Sequence, residues 1–393
     1  MKLSKNVFII GAKGIPANYG GFESFVEQLT ARKVSYDIHY YVACRRDLSE
    51  NKADIFEYND ATCFNVDVPN VGPAKAILYD VNAFKWVMKY IKDNNVQDAI
   101  VYVLACRMGP FIGHFKKQLK AYNGTLYVNP DGHEWLRAKW SKPVRQYWKY
   151  SEGLMVKYAD LLICDSQNIE KYIQEDYQKY QPKTTYIAYG SDITKSTLKT
   201  EDKVVAEWYQ EHQIKLNEYY LIVGRFVPEN NYETMIREFM ASNTTKDLVI
   251  ITNVEHNKFY DALKATTHFE EDLRIKFVGT VYNAELLKYI RENAFAYLHG
   301  HEVGGTNPSL LEALGSTKLN LLLGVGFNQE VGQDGALYWS KDNGDLKVLI
   351  EKNDNLTLAD VEVLDQKSNL RIVNQFDWKL IIQAYEEQFI GAI

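Results

Sequence analysis

No stretch of this 393-residue sequence approaches the roughly 20 consecutive apolar residues that a membrane-spanning helix needs. The apolar run near the start, VFII at residues 7–10, is too short for the core of a secretory signal. A soluble or peripheral protein is therefore expected. Cysteine is scarce, and Cys44, Cys63, Cys106 and Cys164 never stand as a CxxC pair. That spacing reads as buried, reduced thiols in a cytosolic protein. Glycine-rich loops occur, but none has the form GxGxxG and none ends in Gly-Lys-Ser/Thr. This weighs against a dinucleotide dehydrogenase and a P-loop nucleotidase. Compositional disorder is absent too: 46% hydrophobic and 24% charged residues is an ordinary globular balance.

The length suits two domains better than one core. The 28 tyrosines are an excess. A phenol favours a position with one wet end, so half-buried or groove sites are expected for many of them. The net charge of −6 hides an asymmetry, with 26 basic against 21 acidic residues up to Lys195 and 19 against 30 beyond it. A basic half joined to an acidic half argues against general nucleic-acid binding and suggests that the first half faces something anionic.

Short apolar runs alternate with helix-period segments along the chain. The runs lie at residues 6–10, 37–43, 99–105, 125–128, 161–164 and 184–189, with amphipathic stretches such as 22–32 and 81–93 between them. This alternation predicts α/β architecture with a parallel sheet covered on both faces. Residues 193–216 form a polar pause. A second series follows at 219–223, 247–252, 274–278, 294–299, 318–324 and 336–339. The reading is of two Rossmann-like domains, 1–195 and 196–375, facing a central cleft at the carboxyl ends of their strands. The helix-period segment after residue 376, running to 393, is expected to pack back on the first domain.

Four segments carry chemistry. GAKGIPANYGG, residues 11–21, lies between a strand and a helix, and Gly20 and Gly21 ahead of the helix suit contact with a phosphate or sugar; a tight turn is the competing reading. NPDGHEW follows the strand at 125–128 and puts Asp131, His133 and Glu134 at a strand's carboxyl end, where they are suited to sugar hydroxyls or proton transfer. A capped turn would look the same. In VGRFVPENN, Arg225 leaves a strand end beside Gly224, well placed to grip a diphosphate with its forked donors or to form a surface salt bridge.

Residues 299–315, HGHEVGGTNPSLLEALG, are the richest. A strand ends at His299, and a polar loop with Gly304, Gly305, Thr306 and Asn307 leads to a helix starting near Pro308. Its amides suit phosphate, and Glu312 one turn on suits ribose hydroxyls. His299, His301 and Glu302 can also be drawn as a metal site, although the second half supplies no obvious further ligand. A basic strip completes the set. Lys142, Arg145 and Lys149 share one helical face, with Lys139 just before it and Trp140 and Trp148 flanking. Such a helix suits an anionic membrane surface, or is an ordinary solvated face.

GAKGIPANYGGFESFVE, NPDGHEWLRAKW, VGRFVPENNYE and HGHEVGGTNPSLLEALG together resemble the family 4 retaining glycosyltransferases of the GT-B fold over the whole chain. The likeness is strongest to the streptococcal rhamnosyltransferases of rhamnose-polysaccharide and capsule synthesis. The closing FDWKLIIQAYEEQF is similar to the helix with which such proteins return to their first domain.

The resemblance implies that L-rhamnose passes from dTDP-β-L-rhamnose, with retention, to GlcNAc or Glc on a polyprenyl diphosphate. The enzyme would be cytoplasmic and peripheral at the inner membrane face. Gly20 and Gly21 would lie near donor phosphate and acceptor, Asp131 and His133 near the donor sugar, Arg225 on the diphosphate and Glu312 on the ribose. Lys139, Lys142, Arg145 and Lys149 would meet the acceptor and membrane. No cofactor and no metal are expected: the first half lacks an Asp-x-Asp pair after a strand, and Arg225 with the loop amides supplies the charge. The chain departs from the family at Asn230, where Lys is usual, and at Gly304, where Glu is usual, with Glu302 nearby. Another nucleotide-sugar donor, a sugar-nucleotide epimerase and a non-catalytic subunit of a polysaccharide assembly complex are the rival readings.

Overall fold

The computed structural model describes residues 5–17, 20–137, 140–192, 194–254 and 257–391. They form two compact units, Met1–Gly190 with Trp378–Ile393, and Ser191–Asp377. The first unit runs β1 (Lys5–Ile10), α1 (Gly21–Ala31), β2 (Ile38–Arg45), β3 (Ile55–Tyr58), β4 (Ala61–Val66), α2 (Lys75–Asp93), β5 (Ile100–Leu104), α3 (Gly109–Lys120), β6 (Thr125–Asn129), α4 (Lys142–Tyr158), β7 (Leu161–Cys164), α5 (Gln167–Asp176) and β8 (Thr184–Tyr186).

 The second unit runs α6 (Lys203–Glu211), β9 (Tyr219–Val223), α7 (Tyr232–Ala241), β10 (Asp247–Ile251), α8 (Lys258–Thr267), β11 (Ile275–Phe277), α9 (Ala284–Glu292), β12 (Ala296–His299), α10 (Pro308–Leu314), β13 (Asn320–Leu323), α11 (Gly326–Gly332), β14 (Leu337–Trp339), α12 (Asp345–Asn353) and α13 (Leu358–Gln375). The last helix, α14 (Trp378–Ile390), belongs to the first unit.

The first sheet has the order β3-β4-β2-β1-β5-β6-β7-β8 and is parallel except where β3 meets β4. The second has the order β11-β10-β9-β12-β13-β14 and is parallel throughout. Central strands of such sheets are covered on both faces, so their sequences are continuous apolar runs rather than alternating ones. Ile100–Leu104 in β5 and Val7 to Ile10 in β1 are fully buried accordingly. Each large apolar side chain so buried contributes about 1.5–3 kcal/mol.

Two expectations change. The β3–β4 hairpin was not among the apolar runs, because β3 alternates exposed and half-buried residues at the sheet edge. The tyrosines divide: Tyr58, Tyr90, Tyr147, Tyr158 and Tyr172 are among those half-buried as expected, while others go fully inside. Tyr40, Tyr102, Tyr219, Tyr220, Tyr232, Tyr297 and Tyr385 are fully buried. Most find internal partners for their hydroxyls: Tyr219 donates to the Ile290 carbonyl at 2.5 Å and Tyr220 to Asp354 at 2.7 Å. A phenol with an internal acceptor does not need a wet end. The four cysteines are free and buried. Among the described residues, no helix is long and apolar enough to cross a membrane.

Helix α14 packs by aromatic contacts within its unit. Tyr385 meets Phe25 of α1 with ring centroids 4.9 Å apart, and Phe389 meets Tyr102 of β5 at 6.0 Å. The buried Glu386 carboxylate accepts the amides of Val34 at 2.8 Å and Ser35 at 2.9 Å, in the loop after α1. Hydrogen bonds to a charged group are worth about 1.5–3 kcal/mol each way of counting, and buried amides left unpaired carry a similar cost. Glu386→Ala should therefore lower stability to urea by about 2–3 kcal/mol. A loss below about 0.5 kcal/mol, the range of ordinary surface changes, would show that water replaces the carboxylate without penalty.

Candidate functional site

In the first unit, the loop after β1 is fixed from several sides. The Tyr79 hydroxyl donates to the Ala12 carbonyl at 2.7 Å, and Arg107 Nη1 to the Gly11 carbonyl at 2.7 Å. Glu23, in the first turn of α1, reaches back to accept the Lys13 amide at 2.7 Å. Gly20 has φ +137°, and a Cβ there would stand 1.8 Å from Glu23 Oε2. Only glycine fits both the conformation and the space. The buried Glu23 carboxylate thus takes a position at the start of α1 where the sequence suggested a bound phosphate. Gly21 is exposed beside it. A hollow of about 160 Å³ opens here, lined in part by Lys13, Gly14, Glu23, Cys44 and Ser49.

Arg107, which the sequence reading passed over, stands three residues beyond β5. It lies 3.3 Å from Asp80, whose side chain is fully buried on α2. Burial raises the Asp80 carboxyl to about 6, against the pull of the neighbouring guanidinium. The only sequence signal for this pair was an acid on the apolar face of α2.

The loop after β6 carries Asp131 and His133, both half-buried and both at positive φ, 63° and 50°. The Asp131 amide donates to Asn129 Oδ1 at 2.8 Å, which sets the turn. The His133 ring lies 4.1 Å from the Tyr172 ring. Burial and then the charge of Lys149 lower its pKa, favouring the neutral imidazole. Glu134 is committed to Trp140 Nε1 at 2.8 Å and Arg137 Nε at 2.6 Å.

The basic strip on α4 is not one continuous face. Lys142 is exposed, whereas Arg145 Nε donates to the Trp140 carbonyl at 3.0 Å. Lys149 pairs with Asp176 at 3.0 Å and donates to the Tyr172 hydroxyl at 2.5 Å. Its ammonium also lies 4.7–4.8 Å from the ring centres of Trp135, Tyr172 and Tyr177. The reason is attraction: the ammonium faces three aromatic rings and the carboxylates of Glu152 and Asp176, which offset its loss of water. Tyr172 and Tyr177 in turn donate to the buried Glu152. Lys139 lies outside the described residues.

The second unit gathers its residues beyond the ends of β9 and β12. The Arg225 side chain is exposed and has no ion pair or hydrogen bond to any described residue. Its carbonyl accepts Asn230 Nδ2 at 2.7 Å, and Asn230 Oδ1 stands 2.7 Å from His301 Nδ1. Glu302 pairs with Lys341 at 2.5 Å and accepts Asn231 Nδ2 at 3.0 Å. Burial opposes its ionisation, but Lys341 and Asn231 outweigh that, so its carboxyl lies below the ordinary value. His299 is buried, and burial followed by the nearby His301 pushes its pKa well below the ordinary value. Among the described residues, no group of three or more His, Cys, Asp or Glu is placed to hold a metal.

Gly304 has φ +132°, a conformation closed to the glutamate usual in the resembled family, and Thr306 is buried beside the half-buried Gly305. Asn307 caps α10, its Oδ1 accepting the amides of Ser309 at 2.9 Å and Leu310 at 3.3 Å. Those two amides are therefore already satisfied. Glu312 is held by Arg291, a second residue that sequence reasoning missed: Arg291 Nη2 lies 2.6 Å from Glu312 Oε2. The Arg291 side chain is buried in α9, and a charge at an otherwise apolar helical position was the signal available.

A family model described as "Domain of unknown function (DUF1972)" matches residues 4–192. No curated protein matches the sequence. Solved structures match over nearly the full length. Sucrose-phosphate synthase from Thermosynechococcus elongatus is 17% identical with a TM-score of 0.77, covering 98% of this chain and 100% of that one. A glycosyltransferase from Rickettsia africae is 13% identical at 0.73, covering 100% and 99%. Anabaena HepE in complex with UDP is 13% identical at 0.70, covering 98% and 100%. The fold is that of the GT-B glycosyltransferases: α/β, with two parallel-sheet domains.

The Asp80 carboxyl gives a pH signature. Its folded-state value of about 6 lies above the ordinary 3.8, so its contribution is fully present below about pH 4 and is lost as pH rises through about 6. Asp80→Asn cannot ionise. From about pH 3 to pH 7 the wild type should lose about 3 kcal/mol of stability relative to this variant, on top of a constant offset from the altered Arg107 contact. Urea titrations at several pH values measure it; a pH-independent difference would mean that Asp80 ionises normally.

Proposed function

We propose that the protein is a glycosyltransferase that uses a nucleotide-diphosphate sugar, and that its donor is dTDP-β-L-rhamnose. The observation that carries the nucleotide-sugar reading is the exposed Arg225 guanidinium, unpaired among the described residues, at the end of β9. The loop of Gly304, Gly305, Thr306 and Asn307 and the Arg291-held Glu312 lie beyond the adjacent β12. An unpaired arginine beside open loop backbone suits a diphosphate, and a carboxylate one helical turn on suits ribose hydroxyls. Anabaena HepE, of like fold, is described in complex with UDP, and a further structure of like fold with UDP-2-fluoro glucose. The rhamnose donor rests on the sequence resemblance carried by HGHEVGGTNPSLLEALG.

The acceptor in this reading is GlcNAc or Glc on a polyprenyl diphosphate, in cell-wall polysaccharide or capsule synthesis. The protein would work peripherally at the cytoplasmic face of the membrane. Lys142 remains exposed for an anionic surface, while Lys149 serves the packing around Tyr172. Asp131 and His133 would meet the sugar, with the neutral His133 ring as a hydrogen-bond partner. The transfer forms a bond from the acceptor oxygen to the anomeric carbon on the face from which the diphosphate leaves. The carbon–phosphate oxygen bond breaks, and the acceptor proton passes to the departing phosphate. Arg225 and the loop amides stabilise that charge without a metal.

The test is a donor screen with dTDP-rhamnose, UDP-glucose and GDP-mannose, each with polyprenyl-diphosphate GlcNAc. Turnover with dTDP-rhamnose is expected; turnover with only the other two would sink the rhamnose assignment. Arg225→Ala should reduce kcat/KM for the donor by about tenfold to a hundredfold, the worth of a charged hydrogen bond. Full activity in that variant would remove Arg225 from the diphosphate.

A further inference from the structure

The Tyr172 hydroxyl on α5 uses all of its hydrogen-bonding capacity inside the protein. It donates to the buried Glu152 carboxylate, and it accepts from Lys149 Nζ at 2.5 Å and from Trp135 Nε1 at 3.3 Å. A phenol offers one donor and two lone pairs, so no bond is left to turn the ring elsewhere. Tyr177, itself buried, donates to the same Glu152 oxygen, and Lys149 reaches on to Asp176 at 3.0 Å. Groups from α4, α5 and the loop after β6 thus meet at one ring. Filling space does not require this. A buried carboxylate costs free energy unless it is paired, and an apolar side chain at position 172 would pack without one. What the network adds is a phenol that cannot move.

The neighbour of that phenol is His133, with ring centroids 4.1 Å apart. Trp135 meets the same imidazole edge-on, with centroids 5.9 Å apart. The backbone of His133 is fixed as well. Its φ of 50° is a left-handed conformation that few side chains adopt, and its carbonyl accepts the Leu136 amide at 2.7 Å. Among the described residues neither nitrogen of the ring finds a hydrogen-bond partner, and the residue is only half-buried. An imidazole held by ring contacts while its nitrogens stay unpaired is oriented for a ligand rather than for the core.

We propose that Tyr172 is the positioning residue for His133: its saturated hydroxyl fixes the phenol, and the phenol fixes the imidazole so that a sugar hydroxyl meets the ring nitrogens in one orientation. The proposal rests on reading His133 as a sugar contact of a glycosyltransferase. Tyr172 touches no substrate in this arrangement and acts only through the imidazole. Orientation matters at such a contact, because a displacement of about 1 Å costs about a hundredfold in rate.

Two measurements separate positioning from packing. The first is kinetic, with dTDP-rhamnose, UDP-glucose and GDP-mannose as donors and polyprenyl-diphosphate GlcNAc as acceptor. Tyr172→Leu should lower kcat/KM by about tenfold to a hundredfold. In a His133→Ala background the same change should cost less than about twofold, since the residue it positions is gone. Tyr172→Phe keeps the ring but loses its anchor and should fall between wild type and Tyr172→Leu. An equal loss in both backgrounds, or no loss in either, overturns the proposal. The second measurement needs no turnover. In NMR spectra of isotope-labelled histidine, the His133 signals are identified by their loss in His133→Ala. The ring current of Tyr172 should displace them in the wild type and in Tyr172→Phe but not in Tyr172→Leu. His39, bonded to Thr62 at 2.9 Å in the same sheet, should keep its signals throughout and so report a folded unit. His133 signals unchanged in Tyr172→Leu overturn the positioning role whatever the activity. If no donor is turned over, the sugar reading of His133 falls, while the ring signals still decide whether Tyr172 orients it.

Discussion

Parallel strand pairing is the constraint on which the rest of each unit depends. A parallel strand must be followed by a crossover, and the crossover helices cover both faces of the sheet. The faces are then lost to solvent, and β1, β5, β9 and β12 become runs of buried apolar residues. What remains for chemistry is the row of loops beyond the carboxyl ends of the strands. Gly20, Arg107, the pair Asp131 and His133, Arg225 and the loop at 300–307 all stand in such loops, after β1, β5, β6, β9 and β12 respectively.

A loop in that position must be held by groups other than the sheet ladder, and here the holders are charged. Glu23 takes the Lys13 amide, Arg107 the Gly11 carbonyl, and Arg291 the Glu312 carboxylate. Each holder is wholly or largely buried, so removing its partner would strand a charge at a cost of several kcal/mol. The loops also carry backbone strain. Ala105, Asp131 and His133 sit at positive φ, where only glycine is at ease. Buried charge and strained backbone together fix side chains that flexible loops would leave to wander.

The sequence made the strands legible because burial on both faces writes them as apolar runs. The exception is instructive. Strand β3 lies at the sheet edge with exposed and half-buried residues alternating, and its signal was the turn rather than a run: Asn59-Asp60, both at positive φ, ahead of the largely buried β4. Site residues were legible where glycine or a strand end marked them, as at Arg225 and Gly304. Glu23, Asp80, Arg107 and Arg291 were not, because their partners lie between 10 and 96 positions away in sequence. Lys149 shows the converse error. Its spacing placed it on a basic face, but spacing says nothing of Asp176 and the three rings that surround its ammonium.

Three histidines show how position sets chemistry on one kind of scaffold. His299 ends β12 inside the core, and burial keeps it neutral. His133 sits half-buried against Tyr172, a ring that Lys149 also contacts, so burial and a like charge both favour the neutral form. His301, two residues past His299, is held through Nδ1 by Asn230 and turns its other nitrogen to the loop. The first packs, the second offers a neutral polar edge, and the third is oriented by a neighbour whose own anchor is the Arg225 backbone. A sequence shows three imidazoles. Their distinct roles come from what each ring nitrogen touches, and Asn230 matters because it decides that for the one beside Arg225.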